Sequence, residues 1–335
     1  MSCSGCTFDK GIKEKLSSSE NSDIFLDFCS KLKTYDWLKD LPDTSETSDL
    51  VEIRFKNTRK EFFRNTNSIE LERDDIVIVE AYPGHDTGIV SLTGKIAGLQ
   101  FRKKIRKPDN YKLKKIYRKA TYVDLQKWYQ GKARENQTMI RAREITKRLN
   151  LELKIGDVEF QGDNTKATFY YIADNRIDFR ELIKVLAKEF RIRIEMKQIG
   201  SRQEAGRIGG IGSCGRELCC STWRTNLETV PLSAAKIQEL PANVQALAGK
   251  CGKLKCCLMY ELDSYLEAWQ DFPKELLELE TKKGTALRYK VDVLKKMVWY
   301  SYDPAFLSDL IPVTIERIKE IIMLNKKGIK PDDLN

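Results

Sequence analysis

The sequence predicts an α+β protein: a small antiparallel β unit, then an α/β layer with helices packed on a sheet, then an irregular Cys-rich metal-binding region. Three observations carry this. Strand-like segments recur through residues 50–94, beginning where Val51, Ile53 and Phe55 alternate with Glu52 and Arg54. A long helical period follows over 123–149, with Leu125, Trp128, Met139, Ala142, Ile145 and Leu149 on one face. Six cysteines then fall into two copies of one heptapeptide.

Composition bounds the class. The 335 residues are 41% hydrophobic and 32% charged, enough apolar content for at least one buried core and too much for a wholly disordered chain. The longest uncharged run, 240–249, is far too short to cross a bilayer, so no integral membrane insertion is expected. Residues 1–6 hold no apolar signal core, which predicts a cytoplasmic protein. Nine cysteines in such a chain point to metal ligation or redox chemistry rather than a disulfide scaffold. With His85 the sole histidine, Cys-plus-His zinc fingers and most His-based catalysis are nearly excluded.

Five regions follow in order. Residues 1–49 form an acidic, Ser-rich N-terminal extension with Cys3, Cys6 and Cys29 and a short helix over 25–41. Residues 50–112 form a β-rich domain with strands at 51–55, 76–79 and 89–92, a turn at Pro83-Gly84-His85-Asp86, and the start of a basic segment. Residues 113–200 form an α+β domain. Its helix over 123–149 precedes strands at 151–160 and 167–172, a helix from an N-cap at Asp178 to Phe190, and a strand at 192–196. Residues 201–275 are the Cys-rich region, closing with a helix over 258–269. Residues 276–335 are a C-terminal extension with two strands in 284–301 and a helix over 313–324.

The cysteine repeat is the sharpest signal. Cys214-Gly215-Arg216-Glu217-Leu218-Cys219-Cys220 recurs 37 positions on as Cys251-Gly252-Lys253-Leu254-Lys255-Cys256-Cys257. Glycine after the first cysteine lets backbone wrap closely, and the basic third position offsets thiolate charge. Adjacent cysteines diverge, so neither pair suits one small ion. Structural zinc prefers C-x(2–4)-C pairs and four ligands, whereas iron–sulfur clusters accept looser thiolate spacing. An iron–sulfur cluster of the [4Fe–4S] type is the expected cofactor, with zinc, or thiols packed as hydrophobes, as alternatives. Ligands beyond these six would come from a partner or from Cys3, Cys6 and Cys29. The glycine-rich run 206–212 lacks the Walker Lys-Ser/Thr and reads as a flexible frame for the metal loop.

These residues resemble a known family. Ile116-Tyr117-Arg118-Lys119-Ala120-Thr121, Asp178-Phe179-Arg180-Glu181-Leu182 and Glu195-Met196-Lys197-Gln198-Ile199-Gly200 are similar to landmarks of the polymerase-suppressor C-terminal domain. Residues 51–55 and 77–90 upstream, and 209–220 and 251–261 downstream, resemble its bacterial RicT-like members, subunits of a regulatory iron–sulfur-containing complex. The resemblance implies a non-catalytic cytosolic regulator. It implies two small helical partner subunits of the RicA and RicF kind that share clusters with it. It implies modulation of RNA processing by ribonuclease Y, and cluster ligation by Cys214, Cys219, Cys220, Cys251, Cys256 and Cys257. The extensions at the two ends depart from the family pattern.

Two other classes remain. Residues 95–119 carry eleven Lys/Arg against one Asp, with Tyr111, Tyr117 and Tyr122 interleaved or adjacent. Arg102, Lys103, Lys104, Arg106, Lys107, Lys114, Lys115, Arg118 and Lys119 are thus candidates for contact with RNA or an acidic partner, and a zinc-stabilised RNA-binding module is the alternative function. The plainer reading is a solvated loop and helix face. A stripe of Lys127, Arg134, Arg141 and Arg148 raises the same question. A thiol redox protein would use Cys3-Ser4-Gly5-Cys6, without the βαβ context such pairs need. A His85–Asp86 dyad is a weak catalytic candidate.

Overall fold

The computed structural model describes Thr34 and residues 48–105, 110–175, 177–241, 243–303 and 310–334. Cys3, Cys6, Cys29, Arg106, Lys107 and all but Thr34 of the helix expected over 25–41 lie outside the described residues.

The first β unit closes into a barrel. Its strands are β1 (Leu50–Arg54), β2 (Lys60–Arg64), β3 (Ile76–Glu80), β4 (His85–Thr93) and β5 (Lys114–Lys119), in the order β1-β2-β5-β3-β4. The β2–β5 pair is parallel and the others are antiparallel. Val51, Ile53, Phe63, Val77, Val79, Val90 and Ile116 fill the interior.

The alternation in β1 predicts a wet outer face, but Glu52 is fully buried and Arg54 nearly so. Helix α1 (Gly94–Lys104) supplies Lys104, which meets Glu52 at 2.5 Å, while Lys60 binds the other carboxylate oxygen at 3.2 Å. Arg54 pairs with Asp74 at 3.0 Å. The turn is shorter than its sequence suggests. His85 and Asp86 already belong to β4, opposite Glu80 and Val79.

The basic segment is in large part regular structure. Residues 94–104 form α1, and the fifth barrel strand falls at 114–119, beyond the boundary drawn at 112.

Helix α2 (Tyr122–Arg148) leads to a three-stranded sheet, order β6-β7-β8, from β6 (Lys154–Phe160), β7 (Lys166–Ile172) and β8 (Arg193–Gln198). Helix α3 (Arg180–Phe190) lies between β7 and β8 in the chain. Phe179, not Asp178, occupies its N-cap; the Asp178 carboxylate accepts the Arg180 N–H at 3.0 Å instead. Ala142, Ile145, Ile155, Val158, Phe169, Leu182 and Leu186 are buried in this layer.

Among the described residues the Cys-rich region carries six short helices in otherwise irregular chain: α4 (Ser201–Ile208), α5 (Cys219–Thr222), α6 (Leu232–Ile237), α7 (Val244–Leu247), α8 (Cys257–Tyr260) and α9 (Leu262–Trp269). The helix expected over 258–269 is thus two helices meeting at Glu261. Val230, Ala234, Ala235, Leu247 and Leu258 form the core here.

The C-terminal residues make a four-stranded antiparallel sheet, order β12-β11-β10-β9, from β9 (Glu278–Thr281), β10 (Gly284–Asp292), β11 (Met297–Ser301) and β12 (Ile311–Thr314). Helix α10 (Ile315–Lys326) closes it, two residues later than the expected start because 311–314 pair as a strand. Leu279, Val298, Tyr300, Ile315, Ile318 and Ile321 anchor a separate core.

The chain divides into two compact units. One comprises Met1–Glu135, Glu159–Ala167 and Ser221–Trp223; the other comprises Asn136–Val158, Thr168–Cys220 and Arg224–Asn335. Among the described residues no helix is long and apolar enough to cross a membrane.

Candidate metal centre

The two cysteine motifs fold into the same knuckle, bond for bond. In the first, Ile211 and Glu217 form an antiparallel bridge; in the second, Ala248 and Leu254 do. Gly212 N–H donates to Arg216 O, and Gly249 N–H to Lys253 O, both at 2.8 Å. Gly215 N–H donates to Gly212 O, and Gly252 N–H to Gly249 O, both at 3.0 Å. Leu218 N–H reaches Gly210 O, and Lys255 N–H reaches Leu247 O. Every one of these pairs is offset by 37 residues, the offset of the cysteines themselves.

The turn needs its glycines. Gly215 and Gly252 sit at φ +76° and +72°, where a side chain is strained. The hydrogen a side chain would replace on Gly212 faces Cys214 Sγ, 3.4 Å from an ideal Cβ. The equivalent Gly249 faces Cys251 Sγ at 3.8 Å. The repeat is therefore longer than the heptapeptide, and a glycine two residues before the first cysteine belongs to it. The glycine-rich run is divided between two elements: Gly206 lies inside α4, Gly209 caps it, and Gly210 and Gly212 build the knuckle.

The knuckles place their thiols differently. Cys214 is exposed at a tip, Cys220 is buried, and Cys219, Cys251, Cys256 and Cys257 are half-buried. Burial pushes the Cys220 thiol up, and Cys256, Cys251 and Cys219 add to the rise. Cys219 from the same knuckle and Cys251 and Cys256 from the other thus lie within electrostatic reach of Cys220. Cys257 is also raised by burial, but its acidic neighbour is Glu261.

Side chains on both sides fix this arrangement. Arg202, on α4, donates to Glu228 O at 2.5 Å and to Leu254 O at 2.9 Å. Arg224 N–H binds Cys219 O, and its guanidinium binds Cys256 O at 3.0 Å. An ideal Cβ at Gly206 would stand 2.8 Å from Cys220 O, so α4 abuts the first knuckle closely.

The donor set fits an iron–sulfur cluster in kind: it is all thiol, it comes from two matched loops, and basic residues flank it. Among the described residues no three His, Cys, Asp or Glu side chains converge tightly enough to hold one metal ion.

The basic candidates are largely spent within the barrel unit. Lys104 pairs with Glu52, Lys114 with Glu61, Arg118 with Asp124 and Lys119 with Asp75. Arg118 and Thr121 together hold the Asp124 carboxyl well below the usual range. The side chains of Arg102, Lys103 and Lys115 carry no carboxylate partner among the described residues, although the Lys115 backbone N–H donates to the Glu80 carboxylate at 3.0 Å. In the helical stripe, Arg141 binds Glu144 and Glu189, and Arg134 folds back on Gln130 O. Asp86 gives its carboxylate to Arg59 at 2.7 Å and to the Thr87 and Gly162 N–H groups, not to His85.

Comparison with known proteins places this geometry in a family. Residues 114–199 match the PSP1 C-terminal conserved region, 229–272 the third domain of PSP1-like proteins, and 280–327 the YaaT C-terminal domain. The chain is 36% identical over 259 residues to the stage 0 sporulation protein YaaT of Bacillus subtilis, covering 75% of this chain and 88% of that one. The chain belongs to the PSP1/YaaT-like family. More distant relatives share shorter stretches. An uncharacterised protein of Schizosaccharomyces pombe is 29% identical over 170 residues, 44% of this chain and 23% of its own. Protein PSP1 of Saccharomyces cerevisiae is 52% identical over 44 residues, 13% of this chain and 5% of its own. No solved structure matches the chain significantly.

The YaaT-like match corrects one expectation. Residues 276–335 are not foreign to the family, because the YaaT C-terminal domain covers most of the four-stranded sheet and α10. The second knuckle lies inside the PSP1-like third domain. Two features of the centre escaped sequence reading. The added glycine pair, Gly212 and Gly249, was readable by extending the alignment of the two motifs leftward. Arg202 and Arg224 carry no motif; only the fold brings them to the knuckles.

Proposed function

We propose that this YaaT-like protein is a non-catalytic, cytoplasmic regulator whose two cysteine knuckles hold an iron–sulfur cluster of the [4Fe–4S] type. Its partners would be two small helical subunits and ribonuclease Y, so that it modulates RNA processing. The relative named as a stage 0 sporulation protein supports a regulatory rather than an enzymatic role. The single observation that carries the cluster reading is the duplicated knuckle, identical in its backbone bonds and presenting Cys214, Cys219 and Cys220 in one copy and Cys251, Cys256 and Cys257 in the other.

Bound iron and sulfide would supply a rigid, redox-responsive crosslink between loops that are otherwise short and solvent-facing. The chain's own residues do the rest. The positive-φ glycines bend each loop around its cysteine. Arg202 and Arg224 tie one knuckle to the other, and the small core at Val230, Ala235, Leu247 and Leu258 seats the second, through Leu247 and Leu254. A surface shaped by both loops then depends on occupancy, and loss of iron loosens it.

Anaerobic purification with iron, sulfide and zinc measured on one sample tests this. Matched iron and sulfide with broad absorbance near about 400 nm is the expected result. Cys214→Ser and Cys251→Ser should each lose the colour and partner capture together. A colourless protein with stoichiometric zinc would replace the proposal with a zinc-stabilised module. Arg102, Lys103 and Lys115 would then be the cations left for RNA. Partner capture surviving in a colourless variant would remove the occupancy mechanism.

A further inference from the structure

Arg202 is a buried cation without an anion. It is 8% exposed, it donates only to the carbonyls of Glu228 and Leu254, and its Nε–H has no acceptor among the described residues. No carboxylate lies within ion-pair distance of it among those residues. Other sheltered arginines in this protein are neutralised: Arg54 by Asp74 at 3.0 Å, Arg207 by Asp157 at 2.8 Å, and Arg59 by Glu61, Asp86 and Glu159. A buried guanidinium satisfied by carbonyl dipoles alone keeps its full charge, and a fold tolerates that poorly unless a counterion arrives.

Arg224 repeats the pattern. Its guanidinium donates to Cys256 O at 3.0 Å and Asn226 O at 2.9 Å, again without a carboxylate among the described residues. Both arginines lie across the knuckles in the same sense. Arg202 belongs to α4, which abuts Cys220 through Gly206, and it reaches Leu254 in the second knuckle. Arg224 leaves the first knuckle bonded to Cys219 O and reaches Cys256 in the second.

We infer that Arg202 and Arg224 are positioning residues that clamp the two knuckles in register and supply the countercharge for an anionic, thiolate-ligated metal centre between them. The inference rests on the cluster reading above and deepens it. Thiolates carry the negative charge that neither guanidinium finds in a carboxylate. Clamping through the carbonyls of Leu254 and Cys256 fixes the backbone at the residue bearing a thiol and two positions before it. Charge and clamp are separable: lysine restores the charge but lacks the planar fork that spans two carbonyls.

Full-length wild type and the variants Arg202→Lys, Arg202→Met, Arg224→Lys and Arg224→Met are purified anaerobically. Iron and sulfide content, the rate of iron release to a chelator, and the reduction midpoint are measured on each. The two Met variants should release iron faster, by about 10- to 100-fold. Their midpoints should move to more negative potential, because a nearby positive charge stabilises the reduced, more anionic state. The Lys variants should release iron faster while keeping a midpoint near wild type. Circular dichroism of each metal-free variant checks the fold, and if Arg202→Met does not fold, the half-buried Arg224 decides the outcome. Loaded wild type matched in rate and midpoint by the folded Met variants overturns this inference and leaves the cluster reading standing. Wild type that takes up neither iron nor sulfide on reconstitution overturns both.

Discussion

At the scale of the residue, chemistry that depends on a repeated spacing is visible in a sequence and chemistry that depends on a partner is not. Cys214 and Cys251 announce themselves through the repeat. Lys132 does not: it is one of three lysines on α2 until the fold lays it over the Trp128 ring, 3.9 Å from the centroid. Burial there lowers its pKa to about 8; Lys56 and Arg54 add to the drop, and Glu135 and Glu159 oppose it. In the unfolded chain the same ammonium titrates near 10.5. Between those values the unfolded state binds the extra proton, so this residue's contribution to stability rises with pH across that window. The difference in unfolding free energy between wild type and Lys132→Met should therefore shift in favour of wild type by up to about 3 kcal/mol from pH 7.5 to pH 10. Urea unfolding at stepped pH reads it, and a difference that stays flat would show that the ammonium is solvated.

At the scale of the element, legibility followed hydrophobic period. β3 and β4, apolar and regular, were readable to within a few residues, and so was α2. β2 was not, because Phe62 and Phe63 are adjacent and both buried, which defeats a two-residue period. β5 hid as a basic loop, since Ile116 is its sole buried residue and Lys114, Arg118 and Lys119 find their carboxylates outside the strand, at Glu61, Asp124 and Asp75. β9 and β12 are four residues each, below the length at which alternation is informative. The edge of β9 is sealed by a side chain that no pattern could predict. With its amide turned to satisfy both groups, Asn325 of α10 donates to Glu280 O and accepts from Glu280 N, each at 2.9 Å. A primary amide here imitates a neighbouring strand. Asn325→Ala should cost about 0.5–1.5 kcal/mol, the usual net worth of an intramolecular hydrogen bond. Asn325→Asp should be no better, because its carboxylate faces the Glu280 carbonyl. An unsealed edge also invites pairing with a second chain, so both variants should self-associate in sedimentation runs where wild type does not. Unchanged stability in both would mean that water replaces the amide without loss.

At the scale of the whole molecule, the chain builds separate cores in its two compact units, and the knuckles belong wholly to one of them. The barrel interior around Ile53, Val79 and Ile116 lies in the first unit. The cores around Ala235 and around Tyr300 lie in the second, with all six knuckle cysteines. A ligand that binds only the folded form stabilises what it binds, by an amount that grows with its concentration over its dissociation constant. Cluster occupancy should therefore act on one unit and leave the other nearly untouched. Calorimetry of the cluster-loaded protein should resolve two transitions, and treatment with an iron chelator should lower one of them. The Val79→Ala variant, which opens a cavity in the barrel interior at a cost of about 1–3 kcal/mol, should lower the other. Adding both perturbations should give the sum of the two shifts, since residues in separate cores with no shared partners act additively. A single transition that both perturbations move would show that the two units unfold as one cooperative body, and the barrel would then sense the state of the thiols directly.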